Sequence, residues 1–324
     1  MKRLRTISDL RQVRKGCVLT IGNFDGVHIG HQEIIGVCRR LAEESRSEVV
    51  LMTFEPHPLA VLHPESAPGI LTPTALKREL LASLGVGCRL VLEAKPDILA
   101  LDAKQFVQRY LIDGIRPAVV VEGEDFYFGA ARMGSIQTLR DMATAGGFEV
   151  AAVPARMIEI PDGQTVRVSS TMIRYMLGSG KVGDAAMALG RCYRLIGRVC
   201  PGRGIGRKLG FPTLNMEGPD QVVPAEGVYA GHVQFGDNED DVCKVGPRVD
   251  AVFSIGQART FGDEHPLLIE AHLLVEGAEG LTGRWMAMDF IQFLRRQHKF
   301  VTPEELSKQI TKDCERARNM LAEP

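Results

Sequence analysis

The transition between residues 17 and 41 constrains the fold of this chain more than any other feature. Residues 17–21 form an apolar run with the length of a buried strand, and apolar residues then recur at helical spacing from 34 to 41. A glycine-rich loop separates the two runs. This order predicts a strand that turns sharply into a helix beginning near His31.

The loop carries a chemical pattern as well as a turn. Gly22, Gly26 and Gly30 let a ligand approach the backbone, and His28 and His31 stand three residues apart where the helix starts. The unpaired N–H groups and the dipole of a helix N-terminus favour an anion, to which imidazoles can donate. The alternative is a plain turn whose histidines cap the helix or fill the core. The spacing His-x-Gly-His in a strand-loop-helix context favours a nucleotide phosphate site that transfers phosphate without a covalent intermediate.

Further apolar runs at 48–54, 89–92, 118–121 and 148–153 alternate with helix-like segments. Because several of these runs are continuously apolar, they predict a parallel sheet covered on both faces, with ligands beyond the carboxyl ends of the strands. Phe54-Glu55-Pro56-His57-Pro58 follows the second strand, so we expect it at the same rim as the histidines. Pro56 and Pro58 predict an extended wall against a flat ring system, although taken alone they are better explained as a loop breaker.

A second candidate anion site lies at residues 168–174. Ser169, Ser170 and Thr171 supply hydroxyl groups, apolar helical spacing follows, and Arg174 stands one turn into that helix. We expect Ser170 to be the N-cap. A capped helix start without any ligand is the alternative.

The character of the chain changes after residue 178. This change predicts a domain boundary near residue 185, with domains at 1–185 and 186–324. Short β-like runs follow at 193–200, 227–234, 249–255, 267–275 and 285–290, and they predict a small closed or nearly closed β-barrel. Thr302, Pro303 and Glu305 then predict the capped start of a final helix that packs on the barrel.

Composition limits the class of protein. The 324 residues with 45% apolar content suit two cores, and a net charge of −1 argues against general nucleic-acid binding. The seven cysteines are scattered without a C-x-x-C pair or zinc-type spacing, so we expect them to be reduced and mostly buried. The basic N-terminus lacks a following apolar segment, and no run has the length of a membrane span. We therefore expect a soluble cytoplasmic protein with no membrane partner, and self-association stays open.

Together the motifs resemble those of a known family. The histidine loop resembles the HIGH-type nucleotidyltransferases, and the segment 54–58 is similar to that of the bacterial bifunctional riboflavin kinases and FMN adenylyltransferases, also called FAD synthetases. The resemblance implies a Rossmann-like HIGH-type nucleotidyltransferase domain with a parallel sheet, followed by a riboflavin-kinase-like β-barrel with a terminal helix. It also implies ATP, riboflavin, FMN and FAD as substrates and products, and Mg²⁺ as the metal.

In the first domain the resemblance assigns catalysis to His28, His31 and Arg174. The implied ATP-binding residues are Gly22, Asn23, Phe24, Asp25, Gly26, Gly30, Ser169, Ser170 and Thr171. The implied flavin-binding residues are Phe54, Pro56, His57, Pro58, Asp125 and Phe128, with Asp125 as the polar contact and Phe128 as the stacked ring. Since the FMN phosphate is already an anion at neutral pH, AMP transfer to it needs alignment and charge neutralisation rather than a base.

In the second domain the segment 206–215 resembles the riboflavin kinase motif that holds Mg²⁺-ATP. The implied ATP-binding residues are Gly206, Lys208, Gly210, Phe211, Pro212, Thr213 and Asn215, of which Thr213 and Asn215 offer oxygen ligands to Mg²⁺. Glu270 matches the position of the base that takes the proton of the ribityl hydroxyl, although periodicity alone fits a solvent-facing strand residue equally well. Arg295 is implied to contact the flavin.

The second domain departs from the family pattern at Arg259, Val275, Thr282 and Gln297, where the family usually has proline, aspartate, tyrosine and glutamate. One alternative is therefore an FMN adenylyltransferase with a degenerate flavin-binding barrel. An alternative of another class is a non-catalytic flavin carrier or sensor, which would not require His28, His31 and Arg174 together. The motifs favour a bifunctional enzyme of FAD biosynthesis.

Overall fold

The computed structural model describes residues 1–5, 7–202, 206, 209–257, 267–275 and 280–322. The chain divides into two compact units. The first comprises Met1–Pro68, Lys77–Ile158 and Thr165–Val168, and the second comprises Gly69–Leu76, Glu159–Gln164 and Ser169–Pro324. Of the residues singled out above, Lys208 and Arg259 lie outside the described residues.

A parallel sheet of six strands forms the frame of the first unit. Its members are β1 (Lys2–Leu4), β2 (Val18–Ile21), β3 (Val49–Glu55), β4 (Cys88–Glu93), β5 (Val119–Gly123) and β8 (Glu149–Val153), in the order β1-β4-β3-β2-β5-β8. The short strands β6 (Tyr127–Phe128) and β7 (Gly134–Ser135) pair separately. All neighbours in the large sheet are parallel, so the carboxyl ends of β2, β3 and β5 share one edge.

Helices cover both faces of this sheet. They are α1 (Ile29–Glu44), α2 (Pro58–Leu62), α3 (Thr74–Ser83), α4 (Pro96–Leu99), α5 (Ala103–Phe106) and α6 (Ile136–Gly146), and α5 continues into a wider π-helical segment, Val107–Ile115. Ile35 of α1 and Leu81 of α3 pack against Leu51 on one face. Phe106 and Leu139 pack against Val50 on the other. The apolar strands are thus buried from both sides, as their continuous pattern predicts.

The second unit contains a closed antiparallel barrel. Its strands are β11 (Tyr193–Cys200), β12 (Leu214–Met216), β13 (Gly227–Gly236), β14 (Val249–Gln257), β15 (Leu267–Leu273) and β16 (Trp285–Arg295), closed in the order β11-β12-β15-β14-β13-β16. Its helices are α7 (Ser170–Gly178), α8 (Val182–Leu189), α9 (Glu239–Cys243) and α10 (Pro303–Leu321). The strands β9 (Met157–Glu159) and β10 (Thr165–Arg167) form a short ribbon, of which β10 and most of β9 belong to the first unit.

The predicted fold class is confirmed, with a parallel sheet in the N-terminal half, a closed barrel in the C-terminal half and a terminal helix capped by Thr302. The sequence analysis missed β1 and β12, because runs of three residues lack a readable period. The boundary expected near residue 185 falls inside α8, whereas the second unit already includes α7 and α8. Ala225 N–H, in the segment before β13, donates to the Leu177 carbonyl of α7. The boundary near residue 185 stays a prediction.

The cysteines behave as small apolar residues. All seven are free thiols, and only Cys192 and Cys200 are more than slightly exposed. Burial raises the pKa of the Cys17 thiol to about 12 and those of Cys88 and Cys314 to about 11. These thiols are therefore protonated at neutral pH and contribute packing rather than chemistry.

A buried ion pair ties β11 to β16 in the barrel. Arg194 donates through Nε and Nη2 to the two carboxylate oxygens of Asp289 at 2.7 and 2.6 Å, and its Nη1 donates to the Val242 carbonyl at 2.8 Å. Both side chains are buried. Removing one partner would leave an uncompensated buried charge, which costs about 3–5 kcal/mol.

We therefore predict that Asp289→Ala lowers the free energy of unfolding of the barrel by about 3–5 kcal/mol, measured by urea denaturation. Asp237→Ala is the matched control, because Asp237 forms an exposed pair with Arg284 at 2.9 Å and should cost less than about 1 kcal/mol. Equal losses in the two variants would contradict a special role for the buried pair.

Candidate active sites

The turn from β2 into α1 is held in an unusual backbone conformation. Phe24 and Val27 have φ angles of 47° and 41°, in the left-handed region that side chains disfavour, and Gly26 has φ 85°. Such residues cost on the order of 1–3 kcal/mol each and persist where surrounding contacts fix them, commonly at functional sites. The turn therefore stores strain directly before the two histidines.

His28 and His31 form one stacked unit at the start of α1. His28 is the N-cap of α1, its Nδ1 accepts the His31 backbone N–H at 3.2 Å, and the two rings stack with centroids 3.6 Å apart. Because Nδ1 accepts, a neutral His28 carries its proton on Nε2 and offers that N–H as a donor. Gly30 leaves little room for a side chain beside it, since a Cβ there would lie 3.2 Å from His28 Nδ1.

The segment after β3 meets the histidine turn. The Asn23 side-chain amide lies 3.0 Å from His57 Nε2, so the two motifs share a rim, as a parallel sheet predicts. His57 also caps α2, because its Nδ1 accepts the Leu59 N–H at 3.2 Å. The expectation of an extended loop across Pro58 is wrong: Pro58 occupies the first turn of α2, where a missing N–H costs nothing.

Phe54 and the segment 123–129 place their aromatic rings mainly in the core. Phe54 packs towards Phe106, and Phe128 is only 8% exposed, 5.8 Å from Phe106 and stacked on Phe126. Only a small part of the Phe128 ring is exposed, and its stacking on the flavin stays a prediction. Tyr127, at 53% exposed, is the accessible ring of this segment.

Asp125, the predicted polar flavin contact, forms an ion pair with Arg167. Both side chains are about half exposed, at 47% and 49% of their surface. An exposed pair of this kind contributes little to stability and can be exchanged for a ligand at small cost. The predicted flavin contact of Asp125 stays a prediction.

The N-terminus of α7 carries the second predicted anion site. Its N-cap is Ser169 rather than Ser170, because the Ser169 hydroxyl accepts the Met172 N–H at 3.1 Å. Ser170 is the first helical residue, and Thr171 follows it in the first turn. Arg174 donates through Nε to the Gly69 carbonyl at 2.7 Å. All of these residues belong to the second compact unit.

Two buried ionisable side chains lie around the histidine turn and were not predicted from the sequence. Glu122, at the end of β5, is 2% exposed, and its Oε1 accepts the Ile21 N–H at 2.5 Å. Burial raises the pKa of this carboxyl well above its ordinary value. Lys77 of α3 is 9% exposed and donates to the Asn23 carbonyl at 3.1 Å. An acidic residue ending an apolar run signals Glu122, whereas Lys77 looks like any lysine on an amphipathic helix.

In the barrel, three oxygen-bearing side chains converge at the start of β12. Thr213 Oγ1 lies 3.4 Å from Glu270 Oε1, and Asn215 pairs across the strands with Glu270. Gly202 makes room for the Asn215 amide, since a Cβ at that position would lie 2.0 Å from Nδ2. Hydroxyl, amide and carboxylate oxygens are donors that suit Mg²⁺. Among the described residues no three His, Cys, Asp or Glu side chains form a metal-binding group.

The residues before Thr213 are anchored to β15. His272 Nδ1 bonds to the Pro212 carbonyl at 2.9 Å, and its ring meets the Phe211 ring edge-on at 5.5 Å. The Gly206 carbonyl accepts the Leu209 and Phe211 N–H groups at 3.0 and 2.8 Å. These bonds hold the backbone of the segment that precedes Thr213 in place.

Gln297 follows β16 and contacts β14. Its Nε2 donates to Ser254 Oγ at 2.9 Å and lies 3.4 Å from the Ile255 carbonyl. Ser254 in turn pairs across the strands with Glu270 of β15. A cavity of about 510 Å³ lies next to Gln297. Its lining consists of Gly178, Ser179, Gly180, Ala225, Glu226, Phe293, Arg296 and Gln297.

Arg295, the predicted flavin contact of the barrel, has a structural partner. Its Nη2 donates to Asp313 Oδ2 of α10 at 2.7 Å, and Nε lies 3.0 Å from both carboxylate oxygens. The guanidinium thus fastens α10 to β16, and a flavin contact of Arg295 stays a prediction.

The chain combines a parallel α/β unit, whose sheet edge carries the histidine-capped N-terminus of a helix, with a closed β-barrel unit that carries a cluster of oxygen-bearing side chains. The family model for FAD synthetase matches residues 10–172, and that for riboflavin kinase matches residues 189–321. The chain belongs to the family of bifunctional riboflavin kinase/FMN adenylyltransferases, and it carries both domains of that family.

Two similar proteins carry that name. The one from Pseudomonas fluorescens is 36% identical over 99% of this chain and 98% of its own length. The one from Escherichia coli K12 is 35% identical over 97% of this chain and 96% of its own length. A crystal structure titled as a macrolide-efflux protein from Streptococcus pneumoniae matches 98% of this chain and 99% of its own, with a TM-score of 0.83 and 26% identity. Within the described ranges, no helix is long and apolar enough to cross a membrane.

We predict that Glu122→Gln makes the free energy of unfolding less sensitive to rising pH. A raised pKa in the folded state means that Glu122 stabilises the fold below its unfolded pKa of about 4.3, and that this contribution is lost as pH rises towards the folded pKa. The unfolding free energy of the wild type, measured relative to Glu122→Gln, should therefore fall as the pH rises from about 4.3 towards the folded-state pKa of Glu122. A difference that is constant over this range would contradict a buried neutral carboxyl.

Proposed function

We propose that this chain converts riboflavin to FAD in two ATP-dependent steps, one carried by each domain. The barrel phosphorylates riboflavin to FMN and releases ADP. The nucleotidyltransferase domain then joins FMN to the AMP part of ATP and releases pyrophosphate. The observation that carries this proposal is that one chain contains both the stacked His28–His31 pair at a helix N-terminus and the Thr213–Glu270 cluster in the barrel.

In the kinase step Glu270 is the general base. Its carboxylate accepts the proton of the terminal ribityl hydroxyl, whose oxygen attacks the γ-phosphorus of ATP, while the bond from that phosphorus to the β,γ-bridging oxygen breaks. Thr213 and Asn215 would hold Mg²⁺, which neutralises phosphate charge when it is bound. The register that sets Asn215 opposite Glu270 supports this assignment. The cavity beside Gln297 is the proposed place for the flavin ring.

In the adenylyl step the nucleophile needs no base, because a phosphate oxygen of FMN is already charged at neutral pH. It attacks the α-phosphorus of ATP, and the bond to the pyrophosphate oxygen breaks. His28 and His31 stabilise the charge that develops on phosphate oxygens, and the N-terminus of α7, with Ser169, Ser170, Thr171 and Arg174, binds nucleotide phosphate. Catalysis then depends on alignment and on charge neutralisation.

The two alternatives are less well supported. An FMN adenylyltransferase with a degenerate barrel, or a flavin carrier, would leave the Thr213–Asn215–Glu270 cluster without a task. Gln297, one of the departures from the family pattern, is held beyond the end of β16, because its amide is bonded to Ser254 and lies close to the Ile255 carbonyl. Both family domains are present, which supports the bifunctional hypothesis.

We predict that His31→Ala lowers FAD formation from FMN by about 10²–10³-fold, because it removes a donor to developing phosphate charge. FMN formation from riboflavin should stay within about twofold of the wild type, since that chemistry uses barrel residues. Chromatographic rates for both reactions on one preparation test this. Equal losses in a folded variant would argue against two independent sites.

We predict the opposite pattern for Glu270→Gln. Replacing the carboxylate with an amide keeps the shape but removes the base, so FMN formation should fall by about 10²–10⁴-fold. FAD formation from supplied FMN should be unchanged. His232→Gln is a matched control on the same barrel, because His232 pairs with Asp250 at 2.9 Å and has no role in this mechanism. Kinase activity at the wild-type rate in Glu270→Gln would remove Glu270 as the base.

A further inference from the structure

Lys77 is a buried charge that none of the motifs explains. It lies on α3 in the first compact unit, only 9% of its surface is exposed, and its Nζ donates to the Asn23 carbonyl at 3.1 Å. Burying an ammonium group is costly unless it forms compensating interactions. One of its hydrogen bonds goes to a backbone carbonyl in the histidine turn.

Asn23 is held from two directions. Lys77 binds its carbonyl, and its side chain lies 3.0 Å from His57 Nε2 in the segment after β3. The next residue, Phe24, has the left-handed φ of 47°, and its ring centroid lies 5.0 Å from that of His31. Lys77 is therefore bonded directly to the strained turn, and it is connected to the histidine pair through Asn23 and Phe24.

We propose that Lys77 is a positioning residue for adenylyl transfer, which holds the turn 22–27 so that His28 and His31 face the nucleotide phosphates. The inference rests on the proposed adenylyltransferase function. A strained backbone keeps its conformation only when its surroundings over-determine it, and the Lys77 bond is one of those determinants. Its positive charge also favours anions at this rim.

Loss of the hydrogen bond from Lys77 to the Asn23 carbonyl should disturb the alignment of His28 and His31 more than it weakens ATP binding. A displacement of about 1 Å in groups that contact a reacting centre can cost about a hundredfold in rate. We therefore expect Lys77→Met, which keeps the chain length but removes the donor, to lower kcat for FAD formation by about a hundredfold, with KM for ATP changed by less than about fivefold. Lys77→Arg keeps charge and donors and should recover at least about tenfold of the loss.

The experiment measures FAD formation from FMN and FMN formation from riboflavin on the same preparations. Arg78→Met is the matched control, because Arg78 is the next residue on α3 and its side chain is 35% exposed and paired with Glu79 at 3.4 Å. Arg78→Met should retain both activities, and Lys77→Met should retain the kinase activity. The ring NMR signals of His28 and His31 should shift in Lys77→Met, while those of His232 in the barrel should not.

Three outcomes would overturn the inference. These are FAD formation within about threefold of the wild type in Lys77→Met, equal loss of both activities in that variant, and a loss in Arg78→Met as large as in Lys77→Met. If the wild type itself makes no FAD from FMN, the proposed function fails, and the histidine NMR signals alone decide the role of Lys77. Unshifted His28 and His31 signals would then reject it.

Discussion

The turn between β2 and α1 is the constraint on which the nucleotide site depends. The chain must leave a buried parallel strand and enter a helix within a few residues, and it does so with Phe24 and Val27 in a left-handed conformation. Glu122 holds the last strand residue, Lys77 and His57 hold Asn23, and His28 caps the helix. The strain is thus opposed by contacts from three other elements.

The site in the barrel is built differently, because its residues are distant from one another in the chain. Thr213 meets Glu270 because β12 pairs with β15, and Gln297, beyond the end of β16, contacts Ser254, which pairs with Glu270 across β14 and β15. A shift of one residue would turn Glu270 into the barrel interior, since side chains alternate between faces. In the barrel, the pairing of antiparallel strands therefore places the functional side chains, whereas in the α/β unit the strained turn does so.

The sequence predicts the framework better than the details of the sites. Continuous apolar runs predict the parallel strands, and the glycine and histidine spacing predicts the start of α1. The burial of Phe128 and the engagement of Arg295 by Asp313 were not predictable, because they depend on contacts between distant elements. The role of Ser169 as the cap differs from the expectation by one residue, within the ordinary uncertainty of helix ends. Lys77 gives no signal, since only tertiary packing sets its ammonium against Asn23.

The central claim is that one chain performs two distinct phosphate transfers. The most direct test is a product time course for the wild-type protein with Mg²⁺, ATP and riboflavin, in which flavins, ADP and pyrophosphate are quantified together. The account predicts that FMN forms before FAD, that pyrophosphate equals FAD, and that ADP equals the sum of FMN and FAD. FAD from FMN but no product from riboflavin would contradict the kinase half, and bound flavin without any product would contradict the claim altogether.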